Sequence, residues 1–453
     1  MAANEAKKAP PRPLAGGAVM ATASRLSVTA LGAGTTVVVA RVLEPGNWGG
    51  YFLAQSLLAL LAAATTLGVE HGIAYFVSSG RWPARAALRS AAAVAAVGGG
   101  AGGAVAVVAR VLFPSAFAGL PLWLVGVVAA ALPFALIWLY TSYVALASDR
   151  YEVATLIPVA QGVVLLALVV PGAIFFDRAG AIVGMALATV AIGCVAALWG
   201  RRLPRAEITE TGQLRRAVVF GIKGYGANAL QMINYRLDLF VLAAVTSTAS
   251  VGRYSLAVAA TSLLWVIPGA LSSVLFPRIA RLSQEKDANA REMVERKSMA
   301  HATLIVIASS LLLAFGLEFL LVPIFGGAYG PAIDLGLILL PGSAAIAISS
   351  VMYATIVGRG WPIYSLYGAL ISTPLTIGLY LVLIPPLHAT GAAVASSISY
   401  CGGFLIGCHY YRRVTGHRVA PTLIPTRSEF DDIRRLMLRM VAITRSSADR
   451  FSV

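Results

Sequence analysis

Charge and cysteine are what this sequence has least of. Only 12% of its 453 residues are Asp, Glu, Lys or Arg, against 58% hydrophobic ones, which excludes a soluble domain of this size. The three cysteines, Cys194, Cys401 and Cys408, all lie in apolar runs, so there is neither a disulfide framework nor a zinc-ligand spacing. Acidic residues are scarcer than basic ones, 19 against 35, and none occurs between positions 71 and 148. Catalytic signatures are missing as well: no H-E-x-x-H, Walker A or G-x-S-x-G motif is present. The run Gly98-Gly99-Gly100-Ala101-Gly102-Gly103 satisfies G-x-G-x-x-G, the dinucleotide fingerprint. It sits inside an apolar stretch with no strand before it and no nearby acid for a ribose hydroxyl, so close helix packing explains it better. Neither a cofactor nor a metal is implied, and the chain reads as a non-enzyme.

What the sequence has is long hydrophobic runs. Twelve can be marked, at 15–40, 50–70, 88–112, 121–147, 153–175, 179–200, 215–246, 251–276, 299–324, 332–357, 362–386 and 389–411. Each is long enough to cross a hydrocarbon core of about 30 Å at about 1.5 Å per helical residue. The expected fold is an all-α integral membrane protein of twelve transmembrane helices. Lys7–Lys8 before an apolar run resembles a signal peptide, but Arg25 and many Thr and Ser residues interrupt that run, so it reads as a retained first helix.

The basic residues test this count. With the N-terminus inside, 28 of the 35 Lys and Arg fall in cytoplasmic segments, four (Arg41, Arg110, Arg178, Arg253) in outer loops, and three (Arg25, Lys223, Arg236) within spans. That asymmetry is a strong positive-inside signal and places both termini in the cytoplasm. The net charge of +16 therefore sits on the cytoplasmic rim, where anionic lipid explains it more simply than nucleic acid does.

The polar break Arg201–Gln213 separates six spans from six. The expected organisation is an N-terminal lobe at 1–200, an inter-lobe loop at 201–214, a C-terminal lobe at 215–413 and a basic tail at 414–453. In the tail, Ser428-x-x-Asp431 is suited to cap an amphipathic helix lying on the membrane surface. The charged stretch 278–298 reads as helical. An internal repeat crosses the break: WGGYFLAQSLLALL (48–61) aligns without gaps to VGRYSLAVAATSLL (251–264), matching Tyr51 to Tyr254. Six spans per half returns the chain to the same side, so the halves read as pseudo-symmetric parallel repeats around a central cavity.

Function is sought where charge enters the membrane, because such charge is expensive. Thr22, Arg25, Thr29, Gly32 and Thr36 share one face of the first helix, a polar stripe that suits a cavity wall; the alternative is that Arg25 snorkels to the headgroups. The seventh span is the most polar. Lys223, Asn228, Gln231, Asn234, Tyr235 and Asp238 fall within an arc of about 140° that runs about 22 Å along the helix. Arg236 points elsewhere, and residues two apart do not face one another, so an Arg236–Asp238 bridge is not assured. Such a face is either a cavity wall or interhelical glue. Glu70 and His71, at the end of the second span, suit a gate or rim, or simple solvation.

The segments ARVLEPGNWGGYFLAQSLLALLAAATTLGVEHGIAYFVS (40–78) and NYRLDLFVLAAVTSTASVGRYSLAVAATSLLWVIPGALSSVLFPRIARLS (234–283) resemble O-antigen and polysaccharide flippases. These belong to the multidrug/oligosaccharidyl-lipid/polysaccharide exporter superfamily. The resemblance implies two six-helix lobes forming a V-shaped cavity open alternately to each side of a bacterial cytoplasmic membrane. It also implies an undecaprenyl-diphosphate-linked oligosaccharide as substrate, with membrane lipids and polysaccharide-assembly proteins as partners. Arg25, Lys223 and Arg236 suit a diphosphate, and the amide and hydroxyl side chains suit sugar hydroxyls. Outward movement of two negative charges would gain roughly 5 kcal/mol per 100 mV. Other readings remain: a cation-coupled drug exporter of the same superfamily, which would want more buried carboxylates, a membrane glycan polymerase or ligase, which the short outer loops oppose, and a non-transporting scaffold.

Overall fold

In hydrocarbon no water is available to the main chain, so a chain this apolar must satisfy its amides internally. The structure, a computed structural model, describes residues 14–66, 68–204, 212–285 and 287–423, and among these residues there is no strand. The tail helix expected after Ser428 lies outside the described residues. In chain order the helices are α1 (Leu14–Thr65), α2 (Val69–Ser78), α3 (Ala84–Leu112), α4 (Leu122–Ala147), α5 (Tyr151–Arg201) and α6 (Gln213–Val245). There follow α7 (Thr248–Ser262), α8 (Val266–Gln284), α9 (Ala288–Phe325), α10 (Ala332–Gly358), α11 (Ile363–Thr415) and α12 (Val419–Leu423).

Three of these, α1, α5 and α11, are 52, 51 and 53 residues long, about twice what one crossing needs. Each is two spans joined through a break. The main chain leaves helical geometry at Glu44 in α1, at Phe176 and Asp177 in α5, and at His388 in α11. Counting their arms separately, taking α7 with α8 as one span and leaving out the short α2 and α12 gives the expected twelve among the described residues. The charged stretch at 278–298 is split between the end of α8 and the start of α9, where the Asp287 side chain accepts from the Ala290 amide at 3.0 Å.

Two of the breaks are the same device. Asp177 (φ 52°) lies three residues before Gly180, and His388 (φ 51°) lies three before Gly391. A Cβ on Gly180 would strike the Gly172 carbonyl oxygen, and one on Gly391 the Leu383 carbonyl oxygen, in both cases eight residues back. The two arms close tightly because these positions carry no side chain. The α1 break has its own counterpart: in the register of the 48–61/251–264 repeat, Glu44 falls against Ser247, the residue that caps α7.

The contacts divide the chain into two compact units. One contains Gly119–Gly226 with the chain up to Pro114, and the other runs from Ala227 onward with the short segment Ser115–Ala118. The boundary therefore falls inside α6. In the first unit α1 packs along α5, α3 along α4, and α2 against α4. Its core gathers Val69, Ile73, Trp82, Leu88, Leu136, Tyr140 and Leu203. In the second unit α10 is the central helix, with α11, α8, α9 and α7 packed against it. Leu275, Ile279, Met299, Val351, Met352 and Tyr411 fill its core. At one edge of that core the buried Glu295 takes both arms of Arg359, at 2.7 and 2.6 Å, and Arg359 also donates to the Val414 carbonyl at 3.2 Å. One ion pair thus ties together α9, the end of α10 and the end of α11.

Large apolar side chains cover the outside: Val97, Phe175, Leu311, Leu312 and Val382 are each more than two-thirds exposed, which fits lipid and not water. Eight helical stretches among the described residues are long and apolar enough to cross a membrane. The protein is a multi-pass membrane protein.

The two glycine turns give a first prediction. Gly180→Ala and Gly391→Ala should each destabilise the protein by about 1–3 kcal/mol, the usual cost of overpacking. Gly126→Ala, where nothing lies within 4 Å of the added carbon, should be near neutral. Thermal unfolding of the three variants in detergent checks the contrast.

Candidate substrate site in the C-terminal unit

The polar arc of α6 meets the second unit at two adjoining features, a buried carboxylate and a cavity. Asp238, 1% exposed, is the carboxylate. The Tyr254 hydroxyl donates to its Oδ2 at 2.5 Å, Ser396 donates to the same oxygen at 3.4 Å, and the Leu239 amide donates to Oδ1 at 2.8 Å. Tyr380 extends the knot: its hydroxyl lies 3.1 Å from that of Ser396 and donates to the Asn234 carbonyl at 3.0 Å. Arg236 is half-buried and within electrostatic reach of Asp238. A carboxylate in such surroundings is tolerable only because hydroxyls and a main-chain amide converge on it.

One turn away lies a cavity of 280 Å³, walled by α6, α10 and both arms of α11. Gln231, Asn234 and Tyr235 bring the α6 arc into it, so three of the four arc residues whose side chains are described line one space. Asn234 is buried, its amide nitrogen lies 3.4 Å from the Ser372 hydroxyl, and its Oδ1 has no hydrogen-bond partner. The Tyr235 ring lies 4.9 Å from Trp265 and 5.8 Å from Tyr400, edge-on to the latter. Trp265 is held in turn by its indole N–H, which donates to the Ser343 carbonyl at 3.2 Å.

The other expected site residues fall differently. The side chains of Lys223 and Asn228 lie outside the described residues. Arg25 is exposed on α1, and Thr29 beside it donates to the Arg25 carbonyl at 2.9 Å. Glu70 does not end the second span: the helix breaks around Thr66 and Gly68 (φ 69°), and Glu70 stands in the first turn of α2. There it is only 3% exposed, with Oε2 unbonded, and so it is not simply solvated. His71, more open, meets the Tyr143 ring edge-on.

Sequence reasoning missed the partners: Tyr254, Tyr380 and Ser396 around Asp238, and Tyr353, Ser349, Ser372, Ser399 and Tyr400 around the cavity. Tyr254 carried a signal, since the repeat singled it out against Tyr51. Among the described residues no three of His, Cys, Asp or Glu gather to hold a metal. One carboxylate among hydroxyls offers hard oxygen ligands, suited to a proton or a monovalent cation and not to a transition metal.

The structure of lipid II flippase MurJ in an inward closed conformation is similar with a TM-score of 0.69 at 12% identity, covering 90% of this chain and 88% of that one. A multidrug resistance MATE family transporter of the MOP superfamily, inward-facing, is similar with a TM-score of 0.67 at 16% identity, covering 87% and 98%. The outward-facing conformation of such a transporter gives 0.62 at 14% identity, covering 88% and 96%. No curated protein matches the chain in sequence. Residues 38–334 match the family described as polysaccharide biosynthesis protein, and the chain belongs to that family. The matched range contains both segments that carried the resemblance to polysaccharide flippases.

The knot around Asp238 yields a paired prediction. Tyr254→Phe removes a donor from a buried carboxylate and should cost about 1–3 kcal/mol. Tyr51, its counterpart in the repeat, is equally buried but its hydroxyl has no hydrogen-bond partner, so Tyr51→Phe should be neutral or stabilising. Melting temperatures of the two variants in detergent decide the matter.

Proposed function

We propose that this protein is a flippase that carries an undecaprenyl-diphosphate-linked oligosaccharide from the inner to the outer leaflet of a bacterial cytoplasmic membrane by alternating access. The observation that carries the reading is the cavity of the second unit, rich in hydroxyl and amide groups, in a chain of the polysaccharide biosynthesis family. The shared fold of a lipid II flippase supports it. Arg25, Lys223 and Arg236 are assigned to the diphosphate. Thr29, Asn228, Gln231, Asn234 and Tyr235 are assigned to the glycan, while the polyprenyl tail stays in lipid. Glu70 and His71 are assigned to a gate. The basic rim keeps both termini in the cytoplasm.

The test is translocation of a fluorescent undecaprenyl-diphosphate oligosaccharide by the purified protein in proteoliposomes. Arg25→Ala and Lys223→Ala should each slow it by at least about tenfold, the worth of one charge-assisted hydrogen bond to phosphate. Export of a cationic dye with no movement of the lipid would instead make the protein a drug exporter.

Asp238 is assigned to energy coupling, because a buried carboxylate held by hydroxyls can exchange a proton or a small cation as those hydroxyls rearrange. Two negative charges moving outward gain about 5 kcal/mol per 100 mV, so an inside-negative potential should speed transport in the wild type. Asp238→Asn should leave that response to potential in place and abolish any response to an imposed proton or sodium gradient. Transport rates under potential alone and under ion gradients alone separate the two.

A further inference from the structure

Asp238, Tyr254, Tyr380 and Ser396 are all buried, and none of the four lines the 280 Å³ cavity beside them. A metal cation would need an opening to reach the carboxylate. A proton needs only a run of hydroxyls, each able to accept one hydrogen and donate another.

Such a run is present. Tyr400 lines the cavity, and its hydroxyl is within hydrogen-bonding reach of that of Tyr380. The Tyr380 hydroxyl lies 3.1 Å from that of Ser396, which donates to Oδ2 of Asp238 at 3.4 Å. Three hydroxyls thus lead from the cavity to the carboxylate. All are on α11, Tyr380 before its break at His388 and Ser396 and Tyr400 after it.

Tyr380 is the link that opens and closes the run. Its hydroxyl has two partners at nearly equal distance, the Asn234 carbonyl at 3.0 Å and Ser396 at 3.1 Å. It has a single hydrogen to give. Aimed at Asn234, that hydrogen leaves the run broken; turned to Ser396, it completes it.

The surroundings of the carboxylate also suit a proton better than a metal cation. The Tyr254 and Ser396 hydroxyls and the Leu239 amide all direct hydrogens at it. A hard cation is held by oxygen lone pairs, and a main-chain amide has none to turn toward it. The charged and titratable groups facing Asp238 are Arg236 on α6, Tyr254 on α7, and Tyr380 and Tyr400 on α11. Arg236 keeps its charge throughout and the tyrosines carry hydrogens, which leaves Asp238 as the acceptor.

We propose that the ion exchanged at Asp238 is a proton, and that Tyr400, Tyr380 and Ser396 relay it from the cavity. The proposal rests on the assignment of Asp238 to coupling. A proton from cavity water enters on the Tyr400 oxygen as the hydrogen of that hydroxyl passes to Tyr380, that of Tyr380 to Ser396, and that of Ser396 to Oδ2. Each hydroxyl ends with one hydrogen, and the carboxylate ends as a neutral acid. Release runs the same steps backwards.

The experiment follows the infrared stretch of the protonated Asp238 carboxyl, identified by its loss in Asp238→Asn. It is recorded after a rapid drop in pH on the full-length protein in nanodiscs, with no lipid-linked glycan present. In the wild type the band should form at a rate that added sodium does not change. Tyr380→Phe and Ser396→Ala each remove one relay hydroxyl, and each should slow its formation by about tenfold or more without abolishing the band. Tyr51→Phe, in the other half of the repeat, should leave the rate unchanged. In proteoliposomes the same two relay variants should lower transport driven by a proton gradient relative to transport driven by potential in the same variant, a ratio from which any loss of folded protein cancels. Suppression of the band by sodium makes this a sodium site and overturns the proposal. So does a band that forms equally fast in both relay variants, or the absence of any Asp238 band that responds to pH. None of these results touches the flippase reading, which stands or falls on movement of the lipid.

Discussion

A polar group in hydrocarbon must find its partner within the protein, and this rule organises everything the structure shows. It makes the chain all helix. It also means that each polar side chain on α6 needs an answer from a neighbouring helix or from whatever fills a cavity. Asp238 finds its answer in Tyr254 on α7 and Ser396 on α11, and by doing so it fixes how those helices sit against α6. Asn234 finds half of its answer in Ser372, while its Oδ1 is buried with no hydrogen-bond partner. Structural glue and binding site are the same row of residues, differing in whether the last hydrogen bond is made within the protein.

Two buried carboxylates of the second unit show how the answer determines the role. Glu295 is held by both arms of the Arg359 guanidinium, the strongest pairing available to a carboxylate, and removing either partner would strand a buried charge. Such a pair is a fixed joint. Asp238 is bonded by hydroxyls and one amide, which can reorient or be replaced by a bound ion at far lower cost. The first arrangement suits architecture and the second suits a cycle.

Much of this was legible in the sequence because it is local. Hydropathy marked the spans, and helical periodicity put Gln231, Asn234, Tyr235 and Asp238 on one face. What periodicity cannot supply is the identity of the residues opposite. Tyr380 and Ser396 are 16 to 158 positions from their bonding partners in this knot and look in the sequence like ordinary polar residues of apolar helices, whereas Tyr254 stood out only through the repeat. The break that buries Glu70 was invisible for a related reason: Gly68 sits in an unremarkable apolar run, and only its left-handed backbone reveals that the helix restarts there. The turns at Asp177 and His388 were legible too, since the spans 153–175 and 179–200, and 362–386 and 389–411, part at those residues, although each turn leaves only a few residues between its arms.

The repeat that pairs Tyr51 with Tyr254 can be carried back along the chain in the same register, past Glu44 and Ser247. It then sets Thr35 against Asp238. Thr35 is buried as well, but its hydroxyl is spent on the Leu31 carbonyl of its own helix at 2.8 Å. Two halves of one architecture thus hold a titratable group in one copy and an inert one in the other. If ions cross at Asp238, as proposed, a single titratable group at this pair of positions sets a stoichiometry of one per cycle, where a carboxylate in each half would set two.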